Sequence, residues 1–202
     1  MLIYPIHPEV VMEAQKKKVA VFFGGRSPEH DVSICSGLEV LNALDTQKYT
    51  PFPIYIAPDG AWFSGDQALR QRSTYMLSPA GRKALSPVQL DLSAKGKGRL
   101  IPEKSNLFAR STIIEFDIAF PVFHGLFGED GGFQNLMRFA NIPYAGMRAL
   151  PCALFMNKAK TKKALSGLDI PQLPYAVVER PDNTLIPEMK TIKQAIEKTG
   201  LP

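Results

Sequence analysis

Val19 to Phe23 is an unbroken apolar run that ends at Gly24-Gly25. A strand apolar on both faces has to be covered on both faces, which is the pattern of a parallel strand inside an α/β sheet. After the polar turn Arg26 to Asp31, apolar residues recur at Val32, Ile34, Leu38, Val40, Leu41 and Leu44, a helical spacing with Asp31 or Ser33 as its cap. Tyr49 to Ile56 then reads as a second strand, and Pro58-Asp59-Gly60 as a turn. Strand, glycine turn, helix and strand make one βαβ unit, and the expected fold is a doubly wound, mainly parallel α/β sheet.

Residues 60 to 110 are polar and rich in glycine, proline and lysine, with Trp62-Phe63 ending a hairpin. They read as a surface insertion with short elements of its own. Regular structure resumes with a strand over Phe116 to Phe123 that ends at His124-Gly125, then a helix from Gly131 to Ala140. A short edge strand over Ile142 to Ala145 and a helix over Leu150 to Ser166 follow. Past Gly167 the texture changes. A strand is expected over Tyr175 to Val178, a turn at Pro181-Asp182-Asn183 and a helix over Thr191 to Thr199. The expected organisation is an extension over 1–17, a domain over 18–167, and the start of a second domain over 168–202.

The net charge of +5 raises the question of nucleic acid. Its basic runs are Lys16 to Lys18, then Lys95, Lys97 and Arg99, then Lys158 to Lys163. None is interleaved with aromatics or set in a nucleic-acid-binding motif, so no nucleic-acid partner is expected. No run approaches the roughly 18 apolar residues of a membrane span. The opening MLIYPIHPEV lacks the basic start and small-residue cleavage site of a secretion signal, so no membrane association and a cytoplasmic location are expected. Cys35 and Cys152 are the only cysteines, and both read as buried thiols rather than a disulfide or metal site.

Two polar segments follow apolar strands and would share one edge of a parallel sheet: GGRSPEHDVS, Gly24 to Ser33, and HGLFGEDGGFQ, His124 to Gln134. Glycines let backbone approach a ligand. Helix starts near Val32 and Gly132 offer N–H groups to an anion, while Glu29, Glu129 and Asp130 offer negative charge to a cation. Together these suit a zwitterion such as an amino acid. Singly, the acids could equally cap helices and His124 could be structural. The glycines do not form G-x-G-x-x-G, which speaks against a dinucleotide.

GGRSPEHDVS matches every defined position of G-G-x-S-x-E-x-x-V-S, and HGLFGEDG matches H-G-x-x-G-E-D-G, with Gln134 following. Both motifs resemble those of the D-alanine–D-alanine ligases. NIPYAG (Asn141 to Gly146) and ALFMNK (Ala153 to Lys158) resemble the next two segments of that family, in family order. The resemblance covers nearly all of residues 18 to 178, and the insertion at 60 to 110 resembles the larger members. It implies the ATP-grasp architecture: a Rossmann-like pre-ATP-grasp domain followed by the start of an α+β ATP-grasp domain, which is incomplete here. It also implies a reaction. ATP, with Mg2+, phosphorylates the carboxylate of one D-alanine, and the amine of a second displaces phosphate, giving the dipeptide used for peptidoglycan.

Carried over residue by residue, Glu29 matches the glutamate that holds the first substrate's ammonium, Val32 the residue packing its methyl, and Ser33 a member of the network around that glutamate. His124, followed by Gly125, matches the histidine beside the substrate carboxylate. Glu129 would orient neighbouring groups, and Lys158 would reach the ATP phosphates, whereas Lys160, Lys162 and Lys163 read as solvated surface. The family usually has M-D-K where Met156-Asn157-Lys158 stands, so a charge is missing beside that lysine. Pro151 sits compatibly in the first turn of its helix. The resemblance puts a second phosphate-binding lysine and the Mg2+ ligands past Pro202, so this chain alone is expected not to ligate. It also implies a homodimer formed through the N-terminal domain. A stand-alone binding or dimerisation module, and a D-alanine–D-lactate or D-alanine–D-serine relative, are the alternatives.

Overall fold

The computed structural model describes residues 15–64, 67–76, 85–93, 96–103, 112–179 and 187–200. Most of the expected extension, Lys95 and the expected turn at 181–183 lie outside the described residues. The chain forms two compact units, Met1–Cys152 and Ala153–Pro202.

In the first unit the expected βαβ is present as β1 (Lys17–Gly24), α1 (His30–Ala43) and β2 (Tyr49–Ile56). α1 starts two residues earlier than its apolar pattern, with Glu29 at the cap position and Asp31 in the first turn. β3 (Trp62–Ser64), β4 (Pro87–Leu90), β5 (Gly98–Pro102), β6 (Ile114–Phe116), β7 (Ile118–Pro121) and α2 (Gly132–Phe139) complete the unit, with two 3-10 turns at Gln67–Arg70 and Arg72–Met76.

One seven-stranded sheet runs in the order β6-β5-β4-β3-β2-β1-β7. β1 pairs in parallel with both β2 and β7, Val21 standing opposite Pro53 and Phe120. The remaining neighbours, from β2 to β6, are antiparallel. The sheet is therefore mixed. Its parallel end, β2-β1-β7, is the part expected, and the insertion extends that sheet by hairpin strands, whose sequential pairing needs no crossover.

β1 explains why helices cover both faces. Ala20 and Phe22 enter one buried cluster with Phe133 and Met137 of α2, while Val19, Val21 and Phe23 enter another with Ile34 and Leu41 of α1. The strand alternation thus feeds two cores, one under each helix. On the α2 face, Phe22 packs edge-on to Trp62 at 5.6 Å and to Phe116 at 5.8 Å, and lies 4.9 Å from Phe133.

The strand expected over Phe116 to Phe123 is instead two short strands on opposite edges of the sheet, with only Asp117 between them. Asp117 donates its N–H to Lys18 O at 2.9 Å and accepts the Lys18 N–H on its carboxylate at 2.8 Å. That carboxylate clasps β1 while the chain passes from β6, paired to β5, into β7, paired to β1. The sheet coils so that its two edges meet at this residue. The expected edge strand at Ile142 to Ala145 is reduced to one parallel bridge, Ala119 to Tyr144.

The expected helix over Leu150 to Ser166 is two helices, α3 (Ala149–Met156) and α4 (Lys158–Leu165). Asn157 between them has extended backbone, and its side chain accepts the Lys160 N–H at 3.0 Å, an N-cap that ends one helix and starts the next. The unit division falls inside α3, earlier than the boundary the sequence suggests at 168. Ala149 and Cys152 are buried in the first unit, whereas α4 and α5 (Met189–Thr199) bury no residue. Tyr175 to Val178 is not a strand, since no strand among the described residues pairs with it. Nor is Lys162 a free surface lysine. It donates to Leu173 O at 3.3 Å, and its ammonium lies 4.9 Å from the Tyr175 ring centre.

The Lys18 N–H bond, followed by the charges of Lys97 and Lys17, holds the Asp117 carboxyl below the usual carboxylate range against the effect of burial. A carboxyl depressed by folding contributes stability above that range and loses it as pH falls through the folded value. Asp117→Asn should therefore cost about 1 kcal/mol at neutral pH in urea unfolding, a charged hydrogen bond reduced by its exposure to solvent. The difference should hold from about pH 5 upward and shrink below about pH 4. A difference independent of pH would contradict this account.

Candidate functional site

β1, β2 and β7 end on the same edge of the sheet; the connection after β1 leads through α1 to β2 and the one after β7 leads through α2 to Tyr144 on the other side, as at a switch point that binds ligands in open α/β sheets. The chain must turn sharply there. Gly24 has φ +89, and a Cβ on it would lie 2.3 Å from Ile56 O, so only glycine fits. Gly25 donates to that carbonyl at 2.8 Å.

Ser33 is completely buried. Its hydroxyl accepts the Gly24 N–H at 2.8 Å and donates to Val122 O at 2.5 Å, joining the end of β1 to the segment after β7 through α1. Expected among the catalytic residues, it has no surface to offer a substrate; its contacts make it a positioning residue.

Glu29, Val32 and Ser36 lie on one face of α1, at intervals of about one helical turn. Glu29 and Val32 are exposed. Among the described residues nothing hydrogen-bonds the Glu29 carboxylate. A Cβ at Gly125 would sit 2.5 Å from both Glu29 Oε2 and Ser27 Oγ, so this glycine is what allows the second loop to approach the first. His124, beside it, is half-buried, with Nε2 3.0 Å from Ser36 Oγ. The structure thus brings Glu29, Val32, His124 and Gly125 together on the α1 side of the edge.

The second loop's acids act on the loop itself. Glu129 Oε2 accepts the Gly125 N–H at 2.6 Å. Asp130 accepts from Phe127 N–H at 2.9 Å and Gly132 N–H at 3.0 Å, so the start of α2 is capped and its first amide is not open to an anion as the sequence suggests. Gln134 donates to Gly128 O at 3.0 Å. Cys152 is a buried free thiol, pushed above its ordinary pKa by burial and then by the charges of Glu129 and Asp130.

Sequence reasoning missed Ser36 and His30. Ser36 was findable, since it continues the Glu29–Val32 face. His30 lies 2.7 Å by Nδ1 from Gly25 O and 3.2 Å by Nε2 from Tyr55 OH, tying the glycine loop to β2. Because a carbonyl only accepts, Nδ1 carries the proton. No local pattern announces that pairing.

In the second unit, Lys158 is exposed on the first turn of α4. Its position there suits a phosphate, and the Asn157 cap keeps the helix start that an aspartate would also support. Among the described residues no group of three or more His, Cys, Asp or Glu side chains is placed to hold a metal ion.

The family model for the D-ala D-ala ligase N-terminus matches residues 18–147. The chain is 35% identical over 190 residues to a D-alanine–D-alanine ligase of Corynebacterium diphtheriae, covering 94% of this chain and 49% of that protein. It is 40% identical over 151 residues to one from Natranaerobius thermophilus, covering 75% and 39%. The solved D-alanine–D-alanine ligase of Coxiella burnetii superposes with a TM-score of 0.69 at 26% identity, over 92% of this chain and 50% of that one. VanG D-Ala:D-Ser ligase from Enterococcus faecalis gives 0.62 at 32%, over 91% and 49%. The chain spans about half the length of these relatives or less. On its motifs, its sheet and these matches, the chain belongs to the D-alanine–D-alanine ligase family and contains that family's N-terminal domain.

Proposed function

We propose that this chain carries the first-substrate site of an ATP-dependent ligase that joins two D-alanines, and that Glu29 holds the ammonium of the first. The observation that carries the reading is the Glu29 carboxylate, without a hydrogen-bonding partner among the described residues, standing beside Gly125 and His124 on one side of the sheet edge. A carboxylate so placed meets an ammonium in a charge-assisted bond. Val32, exposed one turn along α1, offers the methyl group an apolar contact. If Ser36 donates to Nε2 of His124, the Nδ1–H faces the substrate carboxylate and opposes its negative charge.

ATP supplies the phosphoryl group that activates the carboxylate. Lys158 is this chain's contribution to holding its phosphates, and the groups for Mg2+ belong to other parts of the ligase. Ser33 and Glu129 hold the two loops in place. The protein works in the cytoplasm as a homodimer in this reading. The absence of a helix long and apolar enough to cross a membrane among the described residues is compatible with that. Phe139 and Leu150, about four-fifths exposed, support a surface covered by a second copy. The likeness to VanG supports a second reading, a D-alanine–D-serine ligase, in which the first-substrate site is unchanged.

Glu29→Ala, made in the complete gene product, should raise the KM for the first D-alanine on the order of 10- to 100-fold, the scale of one charge-assisted hydrogen bond. The KM for ATP should stay as it is. Steady-state ADP release with each substrate varied in turn reads both, and an unchanged D-alanine KM would refute the assignment.

A further inference from the structure

Glu29, Val32 and His124 occupy only the α1 side of the sheet edge. On the α2 side the same edge opens into a cleft of about 360 Å³ that none of those three residues lines. Trp62, Phe123, Phe127, Phe133 and Leu136 form its walls, and Arg26 is the only charged residue lining it among the described residues. The walls are held by packing behind them: Phe123 lies 5.1 Å from Phe133, and both Trp62 and Phe133 pack on the buried Phe22. They are formed before any ligand arrives, as small-molecule sites usually are.

Arg26 is fixed at the rim. Its Nη2 donates to Asp59 O at 2.9 Å, and a Cβ on Gly60 would lie 2.3 Å from Nη2, so the glycine makes room for the guanidinium. A guanidinium has five N–H donors, of which described residues take up one. Phe127 is a large apolar side chain left 64% exposed, on a backbone with φ +68, a conformation rare for such a residue. Its N–H bond to Asp130 holds it there. Backbone held in sparsely populated regions clusters where proteins clamp ligands.

We infer that this cleft is a second binding site, separate from the amino-acid site, for a small aromatic monocarboxylate. The aromatic walls select a flat apolar body. A single guanidinium fork matches one carboxylate, and the lack of a second cation among the described lining residues disfavours a polyphosphate. Among the described residues no carboxylate lines it, which disfavours the ammonium of an amino acid. The inference does not rest on the D-alanine reading.

Trp62 is the only tryptophan in the chain, so its indole N–H gives one resonance that reports on the cleft. The test is titration of the 15N-labelled chain with 2-naphthoate and, separately, with its uncharged isostere 2-naphthamide. Naphthoate should shift the Trp62 indole and the Gly24, Gly25 and Gly128 amides saturably and bind more tightly than the amide. Arg26→Gln should weaken naphthoate binding about tenfold, the scale of a partly exposed charge-assisted bond, and leave the amide unaffected. Glu29→Ala should leave naphthoate binding intact, which separates this site from the first. Equal binding of acid and amide to the unaltered chain would overturn the proposal, even without the Arg26 variant. So would shifts that never saturate, or a Trp62 resonance that does not move.

Discussion

One buried hydroxyl holds the functional edge together. Ser33 Oγ accepts the Gly24 N–H and donates to Val122 O, and no water reaches it. Both partners are backbone groups at the ends of parallel strands, where the ladder has run out; Gly24 is buried and Val122 partly so. A buried polar group left unpaired costs about 1–3 kcal/mol. Satisfying two at once with one side chain fixes the distance between the loop after β1 and the loop after β7. The approach of Gly125 to Glu29 and of His124 to Ser36 depends on that fixed distance.

Each loop is also ordered internally. Glu129 and Asp130 accept amides of the second loop, and in the first Ser27 Oγ accepts the Glu29 N–H while His30 donates to the Gly25 carbonyl. The acids of such a loop are easily taken for ligands. Here their charge is used within the fold, and the carboxylate left available is Glu29. The sheet edge is thereby divided into two chemical environments. A polar α1 side carries a carboxylate and a histidine, and an apolar α2 side carries a single guanidinium.

Local patterns in the sequence were enough to read the parallel strands around β1 and the helices beside them. The doubly apolar Val19–Phe23 run, the periodicity of α1 and the glycines after each strand are local signals with local causes. Glu29, Val32 and His124 were legible through motifs that place a carboxylate, an apolar contact and an imidazole at fixed spacing. What escaped is non-local. The break at Asp117 depends on Lys18, 99 positions away, and an apolar run cannot show that its two halves pair with opposite edges of the sheet. The motif marked Ser33, but its two partners, Gly24 and Val122, are set by the packing of α1 against the strand ends. Asn157 as a cap and Lys162 against Tyr175 were hidden for the same reason: a strong helical pattern does not record where a single side chain interrupts it.

Native-state hydrogen exchange tests the latch most directly, read at the Gly24 amide in the unaltered chain and in Ser33→Ala. With the hydroxyl in place the Gly24 N–H should be protected. In Ser33→Ala it should exchange at least about tenfold faster, because its bond is gone and the loops part by local opening. The β1–β2 amides should keep their protection. A Gly24 amide equally protected in both proteins would mean that something other than Ser33 sets the two loops, and the account of the site would fail with it.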